Sequence, residues 1–396
     1  MQVKPQIKQC RNWHLTYFQD TTPMAGLYVH IPFCASRCIY CGFYSTTMKD
    51  DVRHRYVKAL SKELRLRKGF LDAADTIDTI YIGGGTPSQL ALPDIRDMFC
   101  DIHATCGDSQ IETTFEANPD DINAELVDTL KSCGVNRVSM GVQSFDDKRL
   151  RFLCRRHTAE QARTAFRLLR SNGFDNISID LMFGFPNQTL EQWEQDIEKA
   201  LELEPDHISA YSLMYEEGTR LHAMLTRGEV CEIDEETSTK MFKLLADKLS
   251  KTGYEHYEIS NFAKPGRRAV HNSSYWNDTP YIGIGAAAHS YNRRSRQWNV
   301  SDVHKYIQSI EDGCVPAEAE TIDADTHYDD LITTALRTSD GLDMNLLDSA
   351  HRDYMLKCAR KYLQSGQLEI VNGHLRIEEN SIFVSDMIMS DLMKVE

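Results

Sequence analysis

No run of residues in this chain approaches the roughly 20 apolar positions needed to span a bilayer. The stretch 1–23 is polar and has no apolar core, which excludes a secretory signal. Basic charge is scarce. The 44 Lys and Arg are outnumbered by 59 Asp and Glu, and the net charge of −15 argues against a broad nucleic-acid or anionic-membrane footprint. The cysteines are odd in number, 11 in all, and come without a signal, so a reducing compartment fits better than a disulfide framework. Cys10, Cys100, Cys106, Cys133, Cys154, Cys231, Cys314 and Cys358 are scattered and read mostly as buried apolar fillers. A length of 396 residues suits one large barrel-type domain with an appendage, or a few ordinary domains.

The other three cysteines stand together. Cys34, Cys38 and Cys41 are spaced Cys-x3-Cys-x2-Cys, directly after the apolar run Leu27–Ile31. A structural zinc site wants four protein ligands, and an electron-transfer iron–sulfur cube wants four cysteines. Three thiolates on a cube leave one iron open for a substrate or cofactor. A zinc site borrowing His30, or plain buried thiols, are the competing readings. The loop resembles that of the radical S-adenosylmethionine (SAM) superfamily. The resemblance implies a 4Fe-4S cluster on Cys34, Cys38 and Cys41, SAM at the open iron, and a one-electron reductant as partner. It also implies reductive cleavage of the sulfonium to a 5′-deoxyadenosyl radical, the kind of chemistry proteins leave to cofactors.

Strand and helix signals alternate along the first half of the chain. Strands are expected at Leu27–Ile31, Thr79–Gly83, Glu112–Ala117, Arg137–Gly141, Asn176–Phe183 and His207–Ser212. Val52, Tyr56, Ala59 and Leu64 lie along one face of a helix beginning near Asp50, with basic residues toward its end as the macrodipole favours. Thr189-Leu190-Glu191-Gln192 is a capping box, followed by Trp193, Ile197, Ala200 and Leu201 at helical spacing. This alternation implies an α/β fold on a parallel sheet. It matches the radical SAM partial (βα)6 barrel, with its chemistry at the carboxyl ends of the strands.

Those ends carry glycine or polar residues. Gly83-Gly84-Gly85-Thr86-Pro87 lets the backbone approach a ligand, and the absence of a following Gly-Lys-Ser/Thr excludes a phosphate loop. Later ends present Glu116, Gln143 and Asp180. Glu116 suits an ammonium or ribose hydroxyl and Asp180 a ribose hydroxyl. Arg155, expected on the next helix, suits a bidentate grip on the methionine carboxylate. Singly, each is as well read as an ordinary polar residue at a strand end.

Longer segments resemble the coproporphyrinogen III oxidase-like branch of the superfamily: 28–34, 83–87, 139–145 and 180–186, then 257–263 and 271–276. The likeness spans about 26–290. It implies SAM contacts from Tyr28, Tyr40, Gly84, Glu116, Gln143, Arg155, Asp180 and Met214. Two features divide the branch. The oxygen-independent oxidase (a coproporphyrinogen III dehydrogenase of porphyrin biosynthesis) carries a further cysteine two places after the third ligand, and a longer N-terminal segment. Here that place is Phe43, and little precedes the barrel. His271-Asn272-Ser273-Ser274-Tyr275-Trp276 instead matches the His-Asn-x-x-Tyr-Trp motif of the branch's heme chaperones. An imidazole is a good axial ligand for heme iron, and Tyr and Trp offer flat apolar faces. His271, Tyr275 and Trp276 are therefore the heme-binding candidates. By spacing alone, His271 could equally be hydrogen-bonded in a packed turn, with Tyr275 and Trp276 in the core.

The expected layout is a flexible N-terminal extension over 1–25, the barrel over 26–225, an extension with the heme motif over 226–300, and a winged-helix-like α+β domain over 301–396. In that last part, 329–337 and 352–363 read as helices. Residues 367–379 read as a hairpin turning at Asn372-Gly373, and 384–393 as an amphipathic segment. The tail lacks a basic face and reads as a lid or docking surface. Residues 1–23 read as a translational extension or a flexible arm. The resemblance implies a radical SAM-type heme chaperone delivering heme to hemoproteins, among them respiratory membrane enzymes. The alternatives are the dehydrogenase, or another tetrapyrrole enzyme such as a methyl transferase or a ring-opening heme-degrading enzyme. The expected location is the cytoplasm, with a peripheral place at the inner face of its membrane as the variant.

Overall fold

The computed structural model describes residues 24–394. The expected extension over 1–23 lies outside the described residues, whereas Met24 and Ala25, grouped with it, begin the first strand. Six parallel strands pair in chain order: β1 (Met24–Ile31), β2 (Thr76–Gly84), β3 (Glu112–Ala117), β4 (Arg137–Gln143), β5 (Ile177–Phe183) and β6 (His207–Ser212). The helices α1 (Asp50–Leu66), α2 (Leu92–Cys106), α3 (Ala124–Ser132), α4 (Asp147–Phe152), α5 (Ala159–Ser171) and α6 (Leu190–Leu201) lie between them in the chain. The capping box at Thr189 forms as expected, with Gln192 bonding back to the cap.

Strand side chains alternate between two faces. Leu27, Val29, Ile31, Ile80, Ile82, Phe115, Val138 and Met140 are buried in the main core. The alternate residues, among them Tyr28, Tyr81, Glu116, Arg137, Ser139 and Asp180, make the other face polar. Hydrogen bonds run within it from Tyr81 to Glu116, from Arg137 to Thr114 and from Ser139 to Asp180. The barrel interior is thus lined with polar groups that bond to one another across the strands, with Arg137 Nε left unpartnered.

The chain then widens the same sheet. After α7 (Arg220–Thr226) and α8 (Glu235–Lys251), strands β7 (Glu255–Glu258) and β8 (Asn261–Ala263) add on the β6 side. After the short α9 (Val270–Ser274), strands β9 (Tyr281–Ile284), β10 (His289–Tyr291) and β11 (Ser295–Asn299) add on the β1 side. α10 (Val303–Glu311) and the edge strand β12 (Ala317–Thr321) follow. Val303, Tyr306, Ile307 and Ile310 join the main core. The expected division at 301 therefore moves: a second core begins at Tyr328. It is formed by α11 (Ala324–Ala335), β13 (Leu342–Asp343), α12 (Ser349–Ser365), β14 (Leu368–Val371), β15 (His374–Ile377) and α13 (Ser385–Leu392). Asn372 and Gly373 both have positive φ, as a two-residue hairpin turn requires. α11 and α12 start earlier than their apolar pattern suggests, because Asp323 and Asp348 cap them by accepting backbone N–H groups.

The widening strands are locked to the barrel by one carboxylate. Glu63 of α1 is fully buried. It accepts from Arg67 Nε (2.7 Å), Asn299 Nδ2 (2.8 Å), the Gly285 amide (2.8 Å) and Tyr306 OH (2.6 Å). Glu63→Ala leaves the buried Arg67 without its counter-charge. We expect a loss of about 3–5 kcal/mol, seen as a lowered urea midpoint. Arg55→Ala, which breaks the exposed pair with Glu311, should cost about 0–1 kcal/mol.

Candidate functional site: the cysteine loop and the strand ends

The cysteine loop leaves the end of β1 and is pinned at several points. Cys34 N–H donates to Thr46 O (2.9 Å), Ile39 N–H to Leu153 O (3.3 Å) and Leu221 N–H to Ile39 O (2.9 Å). Ile39 is buried in a small apolar cluster with Leu153, Met182, Phe185, Leu213 and Leu221. Cys34 is buried, Cys38 and Cys41 are partly buried, and all three are free thiols. Burial raises the Cys34 and Cys41 pKa values, and the nearby Cys38 raises both further. The thiols are therefore close enough to feel one another.

The zinc alternative loses its fourth ligand. His30 Nδ1 is engaged by Tyr28 OH (2.9 Å) and Nε2 by Tyr44 O (3.1 Å). Among the described residues, no group of three His, Cys, Asp or Glu side chains is gathered as a single ion would need. The three thiols stand free along one loop. Donors already face two of them: Thr86 Oγ lies 3.5 Å from Cys34 Sγ, and Arg155 Nη1 lies 3.7 Å from Cys38 Sγ. A Cβ on Gly85 would lie 3.0 Å from Cys34 Sγ, so glycine is what lets the second loop lie against the first.

The neighbouring strand ends interlock. The Gly84 amide donates to Glu116 Oε2 (3.1 Å) and Tyr81 OH to Glu116 Oε1 (2.6 Å). Arg155 lies in the turn between α4 and α5, not on a helix as expected, because the short α4 ends at Phe152 and α5 starts only at its Thr158 cap. That turn brings its guanidinium back over β4. Nη2 donates to Gly141 O (2.7 Å) and to Asn118 Oδ1 (2.6 Å). Gln143 is buried at positive φ beside a register shift in the β4–β5 pairing, a bulge that re-aims the strand end. Asp180 takes a bond from Ser139 Oγ (3.4 Å). Tyr28 sits against His30, and Tyr40 packs beside the small apolar cluster of the loop. Met214, just past β6, is 60 % exposed, and Phe43, next to the Cys41 loop, is 71 % exposed.

Burial sets the ionisation of the strand-end carboxyls. Burial raises Glu116 to about 7, against the lowering bonds from Tyr81 and Gly84. Burial also raises Asp180 to about 6, opposed chiefly by Arg137. Arg137 is itself fully buried within the barrel and was not singled out from the sequence, nor were Tyr81, Thr86 and Asn118. The missed signal was adjacency: Thr86 and Asn118 directly extend the Gly83–Gly85 and Glu116 ends.

The heme candidates lie elsewhere. α9 sits at the amino ends of the strands, opposite the cysteine loop. Its first amides, Val270 and His271, donate to the Glu112 carboxylate (2.8 and 2.9 Å). His271 is buried, with Nδ1 on Thr79 Oγ (2.9 Å) and Nε2 on Tyr275 OH (2.9 Å), and its ring stacks on Tyr81. Burial lowers it to about 3, leaving a neutral imidazole. Trp276 is partly buried, with the Arg337 guanidinium 5.5 Å above its ring.

A family model of the Radical SAM superfamily matches residues 28–200. A protein of Bacillus subtilis called heme chaperone HemW is 39 % identical over 289 residues, which cover 72 % of this chain and 76 % of that one. The chain belongs to the HemW family of radical SAM proteins. The HemW of Mycobacterium tuberculosis is 32 % identical, covering 93 % of this chain and 94 % of its own length. The HemW of Escherichia coli is 37 % identical over 67 % of this chain and 70 % of its own. Among solved structures, Escherichia coli HemN, described as coproporphyrinogen III oxidase and a radical SAM enzyme, superposes with a TM-score of 0.80 at 21 % identity. That match covers 94 % of this chain and 90 % of HemN, and it shows that this chain shares the HemN fold.

Glu116 gives the pocket a pH signature. A carboxyl held protonated up to about 7 in the fold carries a proton that the unfolded chain has lost above about 4.5, so the folded state is the more protonated one. Stability should therefore fall as pH rises from about 4.5 to about 7. Asp180 adds the same sign between about 3.8 and about 6. Glu116→Gln should flatten the upper part of that slope in urea titrations run from pH 5 to pH 8. An unchanged slope would remove Glu116 as its source.

Proposed function

We propose that this protein is a radical SAM-type heme chaperone. It holds a 4Fe-4S cluster on Cys34, Cys38 and Cys41, binds SAM at the strand ends, and carries heme for delivery to hemoproteins. The observation that carries the choice within its branch is Phe43, an exposed phenyl ring where the oxidase has its further cysteine. The HemN likeness speaks for the fold and does not select between the two activities.

When bound, the cluster and SAM supply one-electron radical chemistry; the chain's residues bind, orient and neutralise. Arg155, with Nη2 held by Asn118 and Gly141 and Nη1 at the Cys38 sulfur, has its unpartnered Nε to offer the methionine carboxylate. Gly84 leaves its backbone open to the amino group, while Glu116 and Asp180 balance ligand charge and hold ribose hydroxyls. Tyr28, Tyr40, Gln143 and Met214 complete the pocket in this reading. The reductant is a one-electron donor, and the recipients are hemoproteins, respiratory membrane enzymes among them. We place the chaperone in the cytoplasm, reaching such recipients from the inner membrane face. No helix among the described residues is long and apolar enough to cross a membrane.

For heme, His271 is a neutral imidazole whose two nitrogens are both engaged. Ligating iron would require it to give up the hydroxyl of Thr79 or of Tyr275, so heme loading at this motif begins by displacing one of those side chains. Trp276, nearer the surface, is the ring that can meet a macrocycle without that displacement.

The deciding experiment is anaerobic incubation of the cluster-loaded protein with heme or with coproporphyrinogen III, each with SAM and dithionite. Heme should be retained unchanged and no propionate lost. Decarboxylation would make the protein the dehydrogenase, and an altered macrocycle would make it another tetrapyrrole enzyme.

The motif has its own test. His271→Ala should shift the Soret band or speed heme loss if the imidazole reaches the iron. If the segment only shapes the pocket, Trp276→Ala should do the damage and His271→Ala leave the spectrum unchanged. Wild-type spectra and affinity in both variants would remove this segment from the heme site.

A further inference from the structure

The geometry points to Asn118 as a positioning residue that aims two hydrogen-bond donors at two of the three cluster thiolates and so raises the cluster's reduction potential. This rests on the reading that Cys34, Cys38 and Cys41 hold the cluster. Asn118 follows β3 and is fixed from behind, its amide donating to Ser88 Oγ (3.2 Å). Its side chain works in two directions. Oδ1 accepts from Arg155 Nη2 (2.6 Å), and Nδ2 donates to Thr86 Oγ (3.4 Å). Arg155 Nη1 faces Cys38 Sγ, and Thr86 Oγ faces Cys34 Sγ. One carboxamide thus ties together the groups that touch two separate thiolates.

Each half of the amide has a distinct effect. With Nη2 held by Asn118 Oδ1 and Gly141 O, the guanidinium plane is set, and Nη1 is left directed at sulfur. Thr86 Oγ accepts the Asn118 N–H, so its own proton is free to point at Cys34. An aspartate would keep the first contact and lose the second; an aliphatic side chain would lose both. Hydrogen bonds and positive charge at the sulfurs favour the more negative, reduced state of a cluster, which raises its potential. The step concerned is addition of one electron from the reductant to the oxidised cluster, with no bond made or broken and no proton moved.

The test is an EPR-monitored dithionite titration of the reconstituted full chain. Asn118→Ala and Thr86→Val should each take up wild-type iron and sulfide yet show a midpoint more negative than wild type. Thr86→Ser, which keeps the donor, should titrate like wild type. An Asn118→Ala midpoint equal to that of wild type would overturn the proposal, whatever Thr86→Val does. So would a Thr86→Ser midpoint as low as that of Thr86→Val, because the hydroxyl would then not be the cause. Should Asn118→Ala fail to fold, Asn118→Leu, which keeps the side-chain volume and loses both bonds, takes its place with the same expected and overturning outcomes. Zinc without iron in the anaerobically purified wild type would sink the cluster reading itself, a result distinct from iron-loaded proteins with equal midpoints.

Discussion

A parallel sheet with helices on one face must do something with the other, and here that other face is polar. Tyr28, Tyr81, Glu116, Arg137, Ser139 and Asp180 point away from the helix layer. Buried polar groups are tolerated only when they are paired. The pairing therefore has to run around the barrel, from strand to strand, and each end of the barrel has to be finished by a segment that supplies the missing partners. At the carboxyl ends the glycine loop, Arg155 and Asn118 do this beside the thiols. At the amino ends α9 does it, with Glu112 receiving its first amides and Thr79 meeting His271.

One physical requirement thus shapes both sites. The upper end is finished by the glycine loop, Asn118 and Arg155, whose donors face two of the thiols. The lower end is filled by aromatic rings and an imidazole that are hydrogen-bonded and stacked. Tyr81 belongs to both, stacking on His271 and donating to Glu116. A single side chain therefore links the Glu116 carboxylate at one end of the barrel with the His271 imidazole at the other.

The barrel was legible in the sequence because its strands are buried on both sides and are separated by amphipathic helices; β3 and β6 have the expected bounds. The turn at Asn372-Gly373 was legible for local reasons as well, since only residues that tolerate positive φ fit it. What the sequence did not disclose depends on contacts between distant segments. Residues 303–321 look like the start of a new domain by order along the chain, yet Tyr306 reaches Glu63 of α1 and ties them to the barrel. Arg155 looked helical until the end of α4 set it in a turn. His271 is the instructive case. Its motif singles out a segment, but spacing carries no sign of whether an imidazole faces solvent or an interior built by other strands.

Gly26 in β1 shows what such an interior demands of distant parts of the chain. A Cβ there would lie 2.9 Å from the His271 ring, so the strand gives up a side chain to make room for an imidazole that lies 245 positions later in the chain. Any side chain at position 26 must displace that ring or bend the strand, so the first strand and the short helix α9 fit together as a single packing unit.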